Sequence, residues 1–140
     1  MFIHLNCHSN YSFLAGDSPE AKNNCHVVGG ANRIDDLVRH AATLGYPALA
    51  LTDTNGLYGA VSFYQSARKA GIKPIFGTEI LQGTQRAVLL AKNLQGFAEL
   101  CRVITDRHLK PDFSLTERLK QCSEDVIILC PDEKILQSLL

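Results

Sequence analysis

A chain of 140 residues, 46% hydrophobic and 20% charged, has the makeup of one ordinary globular domain that buries about two-thirds of its unfolded surface, which excludes disorder and a multi-domain machine. Fourteen Lys plus Arg balance fourteen Asp plus Glu, so no global basic field exists to hold a phosphate backbone, and DNA contact is expected only indirectly, through another domain. No apolar run approaches the roughly 20 residues that cross a bilayer and the opening residues are no signal peptide, so the expectation is no membrane partner and a cytoplasmic location. Five scattered cysteines without a CxxC pair read as reduced thiols.

Apolar runs of strand length alternate with segments of helical period, which predicts an α/β domain with a mainly parallel sheet of βα units. The first strand is expected over residues 2–7. The next, 47–52, is almost wholly apolar, as a strand covered on both faces should be. Between them Ile34, Leu37, Val38, Ala41 and Ala42 recur at helical spacing, with Asn32 placed as N-cap and Gly45 just past the end. A second helix is predicted over 57–70, stopping at Gly71, with Leu57, Ala60, Val61, Tyr64 and Ala67 on its buried stripe. Further strands are expected at 73–80, 86–91 and 125–130. A third helix carries Leu94, Phe97, Cys101, Ile104 and His108, Ser114-x-x-Glu117 has capping-box spacing, and a last helix is expected over 135–140. The polar segment 17–30 stretches the first strand-to-helix connection well past the usual length of about 2–6 residues. It reads as an inserted loop, functional or plain surface.

Strand parity puts His4, Asn6 and His8 on one face and Leu5 and Cys7 on the other. The first three strands end at His8, Asp53 and Glu79, the end at which α/β proteins place ligands. An imidazole and two carboxylates converging at one rim could hold zinc or manganese, or shuttle protons. Each has a plainer reading: Asp53 before Thr54-Asn55-Gly56 suits an Asx turn or a helix N-cap, Glu79 a solvated strand end, and His4 a hydrogen-bonded interior histidine. Packing accounts for His40 and His108 on their helices, and for Cys101, Cys122 and Cys130 as small core residues. Gly29-Gly30 and Gly56 belong to no phosphate-binding loop, Ser9 and Ser12 to no nucleophile elbow, and Cys7 faces away from His8, against a Cys-His nucleophile.

His4-Leu5-Asn6-Cys7-His8-Ser9-Asn10-Tyr11-Ser12-Phe13-Leu14-Ala15-Gly16 resembles the opening of the polymerase and histidinol phosphatase (PHP) domain at the N-terminus of bacterial DNA polymerase III alpha subunits. The resemblance resumes at Arg33-Ile34-Asp35-Asp36-Leu37, is strongest from Ala48 to Val61 and from Ala70 to Glu79, and continues through Leu89-Leu90-Ala91-Lys92-Asn93. The short path from Glu79 to Arg86 is more similar to the error-prone alpha-type polymerases than to the main replicative ones.

The resemblance implies a (β/α)7 barrel with up to three metal ions at the C-terminal rim of its strands, and in complete members phosphoester hydrolysis. Carried over by position, the family's paired first-strand histidines fall on Asn6 and His8, its following aspartate on Ala15, the histidine after the second strand's aspartate on Thr54, and its glutamate on Glu79. Ala15 has no donor, and Asn6 and Thr54 offer neutral oxygens where the cluster wants imidazole, so a vestigial site of His8, Asp53 and Glu79 is implied, with no catalytic residue and no cofactor. Asp17 and His26 in the inserted loop could in principle substitute.

The expectation is therefore a degenerate, non-catalytic PHP domain of an alpha-type polymerase, a structural or interaction module in replication or repair, contacting the rest of the polymerase chain or replication proteins. Direct DNA binding has only Arg33, Arg39, Lys69 and Lys73 behind it. The alternative is a metal-dependent phosphoesterase or 3′ to 5′ exonuclease using His8, Asp53 and Glu79 with zinc, manganese or iron. About five strands are too few for the barrel, so residues 1–140 read as the N-terminal part of a longer polymerase chain, with an open sheet edge and self-association of the isolated segment.

Overall fold

The computed structural model describes residues 2–12 and 32–139; Ala15 and the segment 17–30, with Asp17 and His26, lie outside them. In chain order the elements are α1 (Ile34–Thr43), β1 (Ala48–Leu51), α2 (Ala60–Ala70), β2 (Lys73–Gln82), β3 (Gln85–Ala91), α3 (Leu94–Leu109), α4 (Leu115–Lys120), β4 (Val126–Leu129) and α5 (Glu133–Leu139). One sheet has the order β1-β2-β3-β4. Local signals set several ends: Gly71 closes α2 at φ 71°, and Asn93 and Ser114 cap α3 and α4 through side chains that accept from Gly96 and Glu117. Arg33, not Asn32, is the N-cap of α1, without a side-chain bond.

The sheet is mixed rather than mainly parallel. β1 pairs parallel with β2 across the α2 crossover, whereas β2 with β3 and β3 with β4 are antiparallel. Gln82 pairs with Gln85, leaving Gly83-Thr84 as a two-residue hairpin loop with Gly83 at φ 58°. A parallel return needs a dozen or more residues, so the short path from Glu79 to Arg86 already demanded this hairpin. Glu79 consequently lies inside a strand that runs on to Gln82, not at a solvated end.

Residues 2–7 do not form the expected strand. Ala50 N–H donates to His4 O at 3.0 Å and Thr52 N–H to Cys7 O at 2.8 Å, so three steps on one chain face two on the other and no regular ladder develops. His4 is exposed, its ring against Phe2 and Tyr46 at 4.7 and 5.5 Å, not an interior histidine.

The five helices among the described residues all pack on one face of the sheet. Leu49 and Leu51 of β1 meet Ile34, Val38, Phe63 and Ala67, while Ile80, Ala87, Leu89 and Val126 meet Leu100, Val103, Leu115 and Ile135. Two helix phases differ from expectation. Phe63 and Ala67 are the buried side of α2, leaving Val61 70% and Tyr64 44% exposed; Gly96, Glu99, Leu100 and Val103 are buried in α3, leaving Leu94 79% exposed and Cys101 at the surface. Cys122 and Cys130 do pack against the core, and Cys7, Cys101, Cys122 and Cys130 are all free thiols.

On the opposite face Ala50, Val88 and Leu90 are buried, but Ile127 and Leu129 of β4 stand 44% and 37% exposed beside an open groove of about 530 Å³ lined by Asn6, Glu79, Arg86 and Leu136. No helix among the described residues is long and apolar enough to cross a membrane.

Of the described glycines, Gly96 leaves a side chain the least room against neighbouring backbone. A Cβ there would sit 2.3 Å from Asp125 O and 3.2 Å from Ala91 Cα, so α3 docks on the approach to β4 only without a side chain. Gly96→Ala is expected to cost about 1–3 kcal/mol despite alanine's better helix propensity, read as a lower urea midpoint.

Candidate functional site

The site grows from a tight turn. Ser12 N–H donates to Ser9 O at 3.0 Å and Tyr11 N–H to Ser9 Oγ at 3.1 Å, which folds residues 9–12 so that both serine hydroxyls face β1's continuation. There Asp53, 2% exposed, accepts from Ser9 N–H at 2.6 Å, Ser9 Oγ at 2.8 Å and Ser12 Oγ at 2.8 Å. The carboxylate thus serves residues over forty positions away, as the clasp that holds the His8 turn onto the sheet, and not as the Asx turn or N-cap its local sequence suggested. Its backbone carbonyl accepts from Thr78 Oγ1 at 2.9 Å and Glu79 N–H at 3.2 Å, locking it to β2.

Asn55 braces the same loop. It sits at φ 50°, a left-handed conformation asparagine tolerates. Its N–H donates to Glu79 O at 2.8 Å, its Oδ1 accepts from Leu81 N–H at 2.9 Å, and its carbonyl accepts from His108 Nε2 at 2.8 Å, which gives His108 a role beyond packing. The isolated bridge between Thr54 and Glu79 continues the parallel pairing past the end of β1.

The expected rim is brought together in part. His8 Nε2 stands 3.6 Å from Glu79 Oε2, with both side chains largely buried. His8 Nδ1 lies 3.0 Å from Ser12 Oγ and 3.4 Å from Thr54 Oγ1. Asn6 lies beside Glu79 along the groove, its Oδ1 taken by Thr52 Oγ1 at 2.6 Å. Asp53 does not join His8 and Glu79 in a group of three donors, and its oxygens are engaged by the serines, Oδ1 twice and Oδ2 once. Cys7 packs on the helical side, and burial pushes its thiol up, away from nucleophilic chemistry.

A metal ion needs several negative or imidazole donors at once. Among the described residues no group of three His, Cys, Asp or Glu converges in that way. The pair His8 and Glu79 with neutral Asn6 and Thr54 nearby does not fit a multi-ion cluster. Ser9, Ser12 and Asn55 were not expected to matter here; the only trace of the serines' role in sequence is their three-residue spacing directly after His8.

The model of the PHP domain family matches residues 4–134. The chain belongs to the PHP domain family. It is 46% identical over 109 residues to the error-prone DNA polymerase of Symbiobacterium thermophilum, covering 77% of this chain and 9% of that protein. It is 33% identical over 141 residues to the DNA polymerase III subunit alpha of Bacillus subtilis, covering 95% of this chain and 11% of that protein. The chain thus spans about a tenth of the length of the curated relatives it matches. Among solved structures, an amidohydrolase from Chromobacterium violaceum superposes with a TM-score of 0.50 at 23% identity, covering 75% of this chain and 34% of that one, a likeness of fold. The PHP domain's mixed α/β architecture and the family named by its sequence therefore agree.

Proposed function

We propose that this PHP domain is a non-catalytic structural or interaction module at the N-terminal end of a longer, cytoplasmic alpha-type DNA polymerase acting in replication or repair. The observation that carries the reading is the state of Asp53: a buried carboxylate that accepts three hydrogen bonds from Ser9 and Ser12 works as a fold clasp. Around the remaining pair of His8 and Glu79, Asn6 and Thr54 supply only neutral oxygens, and phosphoester hydrolysis by bound metal hydroxide needs a fuller donor set. The domain's sheet is read as part of a (β/α)7 barrel completed by further chain. The exposed Ile127 and Leu129 beside the open groove support that reading, and the same face suits the rest of the polymerase, a replication protein or a second copy.

A reduced phosphoesterase or exonuclease site is the second reading, favoured by one observation: His8 Nε2 and Glu79 Oε2 face each other at 3.6 Å. Elemental analysis of the purified chain after dialysis separates the two. The expected result is less than one equivalent of zinc, manganese or iron, with no hydrolysis of a phosphate monoester or of a 3′ DNA end. A full equivalent of metal together with metal-dependent hydrolysis would overturn the proposal.

A further inference from the structure

The hydroxyl of Ser12 has one proton and two lone pairs. Asp53 as a carboxylate can only accept, so the proton is committed to Asp53 Oδ1 at 2.8 Å. Thr54 N–H, at 3.1 Å, takes one lone pair. The other faces His8 Nδ1 at 3.0 Å, and only an N–H on that ring nitrogen makes the contact favourable. The opposite assignment would turn the Ser12 proton toward His8 and leave its lone pair against the buried carboxylate, an unmade hydrogen bond between two acceptors.

We propose that Ser12, itself fixed by Asp53, is a positioning residue that holds the neutral ring of His8 with its proton on Nδ1, so that in this neutral form Nε2 is a bare acceptor toward Glu79. Free imidazole side chains in water favour the other tautomer, so the arrangement is imposed by the protein. In that form Nε2 and Glu79 Oε2 are an acceptor pair 3.6 Å apart, which a hydrogen-bond donor such as water or a hydroxyl can bridge. This holds whether or not the domain is catalytic, because it concerns the ring's proton and not turnover.

Two-bond proton–nitrogen correlation spectra of the full chain labelled at histidine read the tautomer directly. They are recorded about two pH units above the ordinary histidine value of about 6.5, so that neutral rings are seen. His8 is assigned by the loss of its signals in His8→Gln. The expected pattern for His8 is a proton on Nδ1, while His108, whose Nε2–H donates to Asn55 O at 2.8 Å, shows the opposite pattern in the same sample. In Ser12→Ala the His8 signals shift toward the Nε2-protonated pattern, and Ser12→Thr, which keeps the hydroxyl, restores the parent pattern. A proton on Nε2 of His8 in the parent chain overturns the proposal, as does a Ser12→Ala spectrum identical to the parent's. If Ser12→Ala does not fold, the parent spectrum decides alone.

Discussion

Replacing Asp53 with alanine is expected to destabilise the PHP domain by about 3–5 kcal/mol, the largest loss of any single polar substitution here. The substitution strands three donors at once: Ser9 N–H, Ser9 Oγ and Ser12 Oγ, all in a buried setting where water does not replace the lost acceptor. It also frees the turn that holds the His8 loop against β1, a long-range tie in a stretch with only two backbone bonds to the sheet. Asp53→Asn should lose less, because one oxygen still accepts and the serine hydroxyls can turn to accept from the new amide. Urea unfolding followed by circular dichroism measures both; a loss below about 1 kcal/mol for Asp53→Ala would show that the clasp is dispensable.

Arg118→Met is expected to follow, at about 2–4 kcal/mol. Arg118 is 8% exposed and joins α4 to α3, with Nη2 on Glu99 Oε1 and Nε on Asp106 Oδ2, both at 2.7 Å. Methionine keeps much of the aliphatic packing, so the loss reports the charges. Glu99, 7% exposed, would be left with Arg102 alone at 2.8 Å, a partner whose own side chain is 63% exposed.

The same network predicts a pH signature. Burial by itself would raise the Glu99 carboxyl, but hydrogen bonds and positive charge from Arg118 and Arg102 outweigh it and hold the group below its ordinary value. Hydrogen bonds from Lys110, then Arg118, hold Asp106 low. Burial would lower the Arg118 guanidinium, yet its bonds to Glu99 and Asp106 keep it above its ordinary value. With folded carboxyl values below the unfolded ones, this stabilisation is complete above the unfolded values near pH 4 and is lost as pH falls through the depressed folded values. Unfolding midpoints taken from about pH 6 downward should therefore converge between parent and variant in acid. A constant difference across that range would remove the ion pairs from the explanation.

The sequence by itself determined the family and the positions of the elements from α1 onward, but not the strand expected over residues 2–7. The runs at β1, β2, β3 and β4 were visible because a strand buried on its helical face must be apolar whatever surrounds it, and Gly71, Asn93 and Ser114 mark helix ends through their own backbone and capping chemistry. The meeting of His8 with Glu79 was foreseeable from the pattern, although Glu79 lies inside β2, paired with Val88 and bridged to Thr54, and not at a strand end.

Tertiary structure alone decided the rest. The phases of α2 and α3 are not legible in the sequence because Val61, Tyr64, Leu94 and Cys101 are apolar residues at helical spacing that the packing leaves outside, so periodicity offers two stripes and only the sheet chooses between them. The union of Arg118 with Glu99 joins two helices across 19 positions and leaves no local pattern. Asp53 looked like a residue for its own turn, and only the fold, by carrying Ser9 and Ser12 across more than forty positions, gave its carboxylate stronger partners. Local chemistry fixes where a chain bends and pairs; which buried polar group meets which is settled only once distant segments share a space that excludes water.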